Sequence, residues 1–196
     1  MLRNPLQIRL EKLDSWQQTT FMVALCERMY PNFAFFCEQT DLTDAQQFHI
    51  ILDNIWESLI VKDAKINFDR QLERLEEIIP NADDFDLYIV YPAIDACYAL
   101  STLLHALLDR DDMFEKAVKV SQISLDTVAQ LEQAQSGIEV TEENAKSIQS
   151  ICDEWDIQWE IFRPLREAKK RDIELIESLR NILRTDNMSN IGIELN

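Results

Sequence analysis

The stretch Ser15–Tyr30, SWQQTTFMVALCERMY, sets Trp16, Phe21, Leu25 and Met29 close to the 3.6-residue period of an α-helix. Asp14 or Ser15 stands ahead of it as a start, and Pro31 follows directly. Proline removes a backbone donor and clashes with the preceding turn. The pattern therefore predicts a helix ending at Tyr30, then a short one holding Phe33, Phe36 and Cys37.

The same period recurs on both sides. Asn4 caps a first helix with Pro5 at its first position, where a missing N–H is harmless. Thr43-Asp-Ala-Gln46 reads as a capping box ahead of Phe48, Ile51, Leu52, Ile55, Trp56 and Leu59. Asn67 opens a helix with Phe68, Leu72, Leu75, Ile78 and Ile79 inside, closed by Pro80. Tyr91-Pro92 starts a long one running towards Asp109, and Asp111 or Asp112 starts the next, which Gly137 stops. From about Asp153 to Arg184, apolar positions recur at alternating threes and fours. That spacing predicts a long C-terminal helix, or two joined where Pro164 kinks it.

Composition points the same way. The 196 residues include two glycines, against about fourteen at ordinary usage of roughly 7%. Hairpin corners need the positive φ that glycine supplies, so a β-rich fold is hard to build from this chain. With 46% hydrophobic residues and neither a repeat nor a low-complexity linker, residues 1–196 are expected to form a single helical domain. The expected fold class is all-α, a compact bundle of about seven to nine helices.

Lys and Arg number 19 against 36 Asp and Glu, a net charge of −17. Nucleic acid is thereby disfavoured, because its binding rests on cations that replace counterions. Anionic membrane is disfavoured for the same reason. Residues 1–13 carry no hydrophobic core of a signal peptide, and no apolar run approaches a membrane span. Cys26, Cys37, Cys97 and Cys152 are widely spaced among apolar neighbours, which reads as buried free thiols in a reducing cytoplasm.

Several strings, taken together, carry a resemblance: Cys26-Glu-Arg-Met-Tyr-Pro-Asn32, Val61-Lys-Asp-Ala-Lys-Ile-Asn-Phe-Asp69, Ala82-Asp-Asp-Phe-Asp-Leu-Tyr88, Tyr91-Pro-Ala-Ile-Asp-Ala-Cys97, Glu154-Trp-Asp-Ile-Gln-Trp-Glu-Ile-Phe162 and Ser189-Asn-Ile-Gly-Ile193. On these the chain resembles the YjaG-like proteins of gammaproteobacteria, an all-helical family of unknown function. The resemblance implies a fold class and a cytoplasmic bacterial origin. It brings no activity, cofactor or catalytic residue.

The residues offer few places for chemistry. No Gly-rich phosphate loop, nucleophile elbow or H-E-x-x-H occurs, and no cofactor is expected. His49, Asp53 and Glu57 lie four apart on one helix stripe, a weak metal arrangement also explained by a solvated flank. Asp95 and Tyr91 sit in a region dense in carboxylates and tyrosines; Asp95 follows a helix start, where the dipole stabilises it, or else faces a pocket as an acid or cation site. Trp155 and Trp159 share a face among Glu154, Asp156 and Glu160, where rings and carboxylates could grip a cation, or the rings could anchor the core. Arg163, Arg166, Lys169, Lys170 and Arg171 form a basic cluster whose i,i+4 partners, such as Glu167 for Arg171, account for it.

Two functional expectations follow. The first is a non-enzymatic interaction or regulatory protein with an acidic helical surface, binding a protein partner or forming a homo-oligomer. The second is an enzyme or small-ligand or metal binder with a carboxylate-lined pocket between helices.

Overall fold

The structure, a computed structural model, describes residues 2–42 and 44–195. Its order is α1 (Gln7–Leu10), α2 (Ser15–Gln39), α3 (Ala45–Ile60), α4 (Phe68–Glu76), α5 (Val90–Leu108), α6 (Met113–Ser136), α7 (Gln149–Glu167) and α8 (Ile173–Asp186). Short 3-10 turns occur at Ala82–Asp84 and Ala145–Ser147. The fold is all-α, and among the described residues the nearest approach to a sheet is one antiparallel bridge between Met188 and Glu194. No described helix is long and apolar enough to cross a membrane.

α2 is the axis. Residues 17–29 are buried without a break, polar ones included, so this helix has no solvent face over more than three turns. α3, α5, α6, α7 and α8 all pack on it. Phe21, Met22, Leu25, Met29, Phe33 and Phe36 meet Phe48, Ile51, Leu52 and Trp56 of α3 and the Ala96–Leu107 face of α5 in one apolar core. A smaller core joins Leu125 and Val128 of α6 to Ile151 of α7, with Leu2 and Ala145.

The expected break at Pro31 does not occur: α2 runs through it to Gln39. An interior proline costs about 3 kcal/mol. Beyond it, however, lie Phe33 and Phe36, fully buried, with Phe33 stacked on Phe48 at 5.1 Å and Phe36 edge-on to Phe85 at 4.9 Å. Each phenylalanine gains about 1.5–3 kcal/mol by burial, so continuing the helix wins.

The C-terminal region is two helices, but their junction lies at residues 168–172 and Pro164 stays inside α7. Tertiary partners hold this corner. Gln17 donates to the Leu165 carbonyl at 2.5 Å, which also accepts from the Ala168 N–H, and to the Ala168 carbonyl at 3.1 Å, just past the end of α7. Asp172 accepts from the Leu175 N–H at 3.1 Å and starts α8. Arg171 has no ion pair with Glu167; its Nε reaches the Leu59 carbonyl and its Nη2 the Ser58 carbonyl, both at 3.0 Å, at the end of α3.

Local signals did better elsewhere. Asn67 accepts from the Arg70 N–H at 3.0 Å, and Gly137 closes α6 with φ 70°. The capping box expected at residues 43–46 involves Thr43, which lies outside the described residues. Asn4 is not the cap of the first helix, which starts at Gln7 after Leu6, so Pro5 lies ahead of it; the Asn4 side chain, 2% exposed, accepts from the Leu6 N–H at 2.9 Å and donates into the interior.

If burial beyond Pro31 holds α2 straight through the proline, Phe33→Ala should cost about 3–5 kcal/mol, measured by urea unfolding. A loss below about 1 kcal/mol would show that the segment after Pro31 is held by something else.

Candidate functional site

Five distant segments converge beneath the C-terminal turn. Arg28 Nη1 donates to Glu154 Oε2 at 2.8 Å, with side chains 8% and 1% exposed. Glu154 Oε1 accepts from Ser124 Oγ and from Gln158 Nε2, each at 2.7 Å. Gln158 Oε1 in turn accepts from Ser121 Oγ at 2.6 Å and Asn4 Nδ2 at 3.1 Å. Asn190 donates to the Ser124 carbonyl at 3.1 Å and accepts from Asn32 Nδ2 at 2.9 Å. Ser189, 3% exposed, holds that turn by accepting from the N–H groups of Ile191 and Ile193.

A second set is centred on Glu27, the residue of α2 just before Arg28. Glu27 accepts from Trp56 Nε1 at 2.7 Å and from Arg184 Nε at 3.0 Å, and Arg184 Nη2 reaches Asp53 at 2.7 Å. Burial lowers the Arg184 pKa, but Glu27 and Asp53 more than offset this and hold it above the usual guanidinium value. Every oxygen of Glu27 and Glu154 is thus engaged by a donor of the same chain. Carboxylates so saturated are poorly placed to take a proton from a substrate. Three of the strings that carry the resemblance, 26–32, 154–162 and 189–193, meet in this seam.

Around the seam the surface opens. Between α7 and α8 lies a groove of about 440 Å³, with Ile157, Ile161, Leu179 and Leu183 along it and Arg28 at its depth. Ile182 and Met188, 54% and 51% exposed, form its lips, and the exposed carboxylates Glu160 and Asp186 edge it. Across the C-terminal turn a second cleft of about 360 Å³ shares Arg28, Ile157, Met188 and Ser189 with the first and adds Glu132 and Asp153. Sequence reasoning missed the groove. Its residues come from positions 28, 157–161 and 179–189, and nothing local announces that α7 and α8 lean apart.

The residues singled out by sequence are dispersed. Glu154 turns inward to Arg28, so it is no part of an acidic rim. The cation over Trp159 is the chain's own Arg9, 4.9 Å from the ring centroid. Trp155 and Asp156 instead line a separate cleft beside the N-terminal segment. His49 Nδ1 lies 3.4 Å from Asp53, whose other oxygen serves Arg184, while Glu57 stays exposed outside that contact. Among the described residues no three His, Cys, Asp or Glu are arranged to hold a metal ion.

Asp95 is the sixth residue of α5, past the first turn where the helix dipole acts, and it accepts from Thr127 Oγ1 of α6 at 2.8 Å. Burial raises its carboxyl pKa, the Thr127 hydrogen bond opposes this, and Asp126 raises it further. Burial also raises Asp126. Tyr91, 51% exposed, lies 6.0 Å from Tyr88 on the same face. Cys26, Cys37 and Cys97 are free and buried, and burial pushes the Cys37 thiol up to about 11, far from a reactive thiolate. Cys152 is only half-buried, unlike the expectation for it.

Residues 5–194 match a family model described as "Protein of unknown function (DUF416)". An uncharacterized protein, YjaG of Escherichia coli (strain K12), is 60% identical over 193 residues, covering 98% of each chain. An uncharacterized protein of Haemophilus influenzae is 50% identical over 194 residues, again with 98% of each chain covered. The crystal structure of a DUF416 family protein from Shewanella baltica OS155 aligns with a TM-score of 0.90 and 32% identity, over 98% of this chain and 100% of that one.

Two outcomes test the seam and the acidic pair. Glu154→Gln strands the buried Arg28 charge and should cost about 3–5 kcal/mol in urea unfolding, whereas the double change Arg28→Met/Glu154→Leu should recover most of it. Asp95 has its pKa raised in the folded state, so the native protein binds the proton more tightly than the unfolded chain. Stability from this group is present at low pH and is lost as pH rises from the ordinary carboxylate value through the raised one. Asp95→Asn, which keeps an acceptor for Thr127, should therefore melt higher than wild type at pH 7, with the gap closing on acidification.

Proposed function

We propose that this chain, which belongs to the DUF416 family of proteins of unknown function, is a non-enzymatic interaction protein of the bacterial cytoplasm. In this reading the groove between α7 and α8 receives an amphipathic, basic helical segment of a protein partner. The observation that carries it is the pairing of an apolar groove with exposed lips, Ile182 and Met188, and two exposed carboxylates, Glu160 and Asp186. A helix laid in such a groove buries its apolar face and brings Lys or Arg to the edges. Methionine at a lip adapts to varied side chains.

Charge decides between partners. A second copy would bring another −17 towards this one and set acidic edge against acidic edge, so a basic partner is favoured over a homo-oligomer. The enzymatic alternative is weakened by the saturation of Glu27 and Glu154. The buried free thiols accord with a reducing compartment.

A synthetic amphipathic peptide of alternating leucine and lysine faces should bind at low salt and release as salt rises. Ile182→Glu, at an exposed position, should weaken it by about tenfold or more, and Glu160→Lys/Asp186→Lys should do likewise. Tyr98→Glu, on the α5 surface, should leave it unchanged. Equal binding by wild type and Ile182→Glu would defeat the reading.

A further inference from the structure

Arg28 has more donors than Glu154 takes up. Its side chain is 8% exposed, yet it lines both the α7–α8 groove and the cleft across the C-terminal turn. Nη1 is spent on Glu154 at 2.8 Å. Nε and Nη2 have no acceptor among the described residues, and neither is sealed from solvent. The small accessible part of this guanidinium therefore opens onto the clefts. Glu154, by contrast, has both oxygens occupied. A ligand that laid only apolar groups over Arg28 would displace the water serving those donors and return nothing, so it must bring an acceptor.

The kind of acceptor follows from charge. Glu154 already balances Arg28, and the exposed Glu160 and Asp186 edge the groove, so its surroundings are net negative. A carboxylate is repelled there, and a neutral carbonyl is not. Inside a helix each carbonyl is engaged by the N–H four residues on, and only the last turn leaves carbonyls open. That turn also carries the negative end of the helix dipole, which favours Lys and Arg beside it. Open carbonyls for Arg28 and cations for Glu160 and Asp186 thus come together at one place on a helix, its C-terminal end.

Arg28 also has a definite position along the groove. Ile161 and Leu179 lie towards the corner at residues 168–172, whereas Ile157, Asp186 and Met188 lie at the opposite end. Glu154, which holds Arg28, is further still from the corner along α7. Building on the groove as a receptor for a basic amphipathic helix, we infer that the partner helix lies with its C-terminal turn over Arg28 and its N-terminal end towards the corner. Apolar contacts alone would accept either direction. The guanidinium selects one.

The test uses the full chain and the leucine–lysine amphipathic peptide, acetylated and amidated, with a nitroxide on a cysteine side chain at one end or the other. The C-terminal label should broaden the Met188 methyl resonance, and the N-terminal label those of Leu179. Arg28→Met/Glu154→Leu, which removes the donors without stranding a charge, should weaken the peptide by about tenfold. A free peptide carboxylate should bind no more tightly than the amide. Equal or reversed broadening, unchanged affinity in the double variant, or a preference of about tenfold for the carboxylate each overturns this orientation, even where binding still depends on Ile182. No binding to the wild-type chain overturns both the orientation and the groove as a helix receptor.

Discussion

The contact on which the rest of the molecule depends is the ion pair between Arg28 of α2 and Glu154 of α7, 2.8 Å long and almost wholly buried. Two charges in an apolar interior are tolerated only when each is paired and its remaining hydrogen-bonding capacity is filled. Ser124 and Gln158 fill that of Glu154, and they draw in Ser121, Asn4 and Asn190. One requirement of electrostatics thus ties α2, α6, α7, the N-terminal segment and the C-terminal turn to a single point. An apolar contact in its place would hold the helices together but would not dictate their register, because dispersion and hydrophobic burial are indifferent to direction.

That point also explains how the two ends of the chain are ordered. Asn4 and Asn190 lie far apart in sequence, yet both reach serines of α6. Fixing the N-terminal segment creates one wall of the cleft that holds Trp155, and fixing the C-terminal turn creates a lip of the α7–α8 groove through Met188. The interior network is closed on itself, and the openings sit at its margins. The polar groups within are paired with one another, while the concavities at the surface are edged by exposed charges.

Much of the fold was legible in the chain. The scarcity of glycine and the 3.6-residue stripes are local properties, and helices answer to local properties. The failures share a cause. Pro31 signals a break because its cost is local, while the gain that overrides it comes from Phe48 and Phe85 in other elements. Pro164 marks a corner locally, but the corner forms at residues 168–172 because Gln17, remote in sequence, caps the carbonyls there. Trp155 and Trp159 stand four apart on one helix, yet they pack against different cores, and the cation over Trp159 is Arg9 of the same chain. Glu154 carries no sequence mark that separates it from Glu160; only the position of Arg28 sends one inward and leaves the other exposed.

By itself, then, the sequence determined the all-helical class, most helix starts and stops, the acidic balance and the family resemblance, because periodicity, capping and composition act over a few residues or over the whole chain at once. Tertiary structure alone decided which polar residues are interior, where the last two helices part, and which concavities result. Those outcomes depend on pairs such as Arg28 with Glu154 and Asn4 with Gln158, more than a hundred residues apart, whose meeting no local pattern encodes.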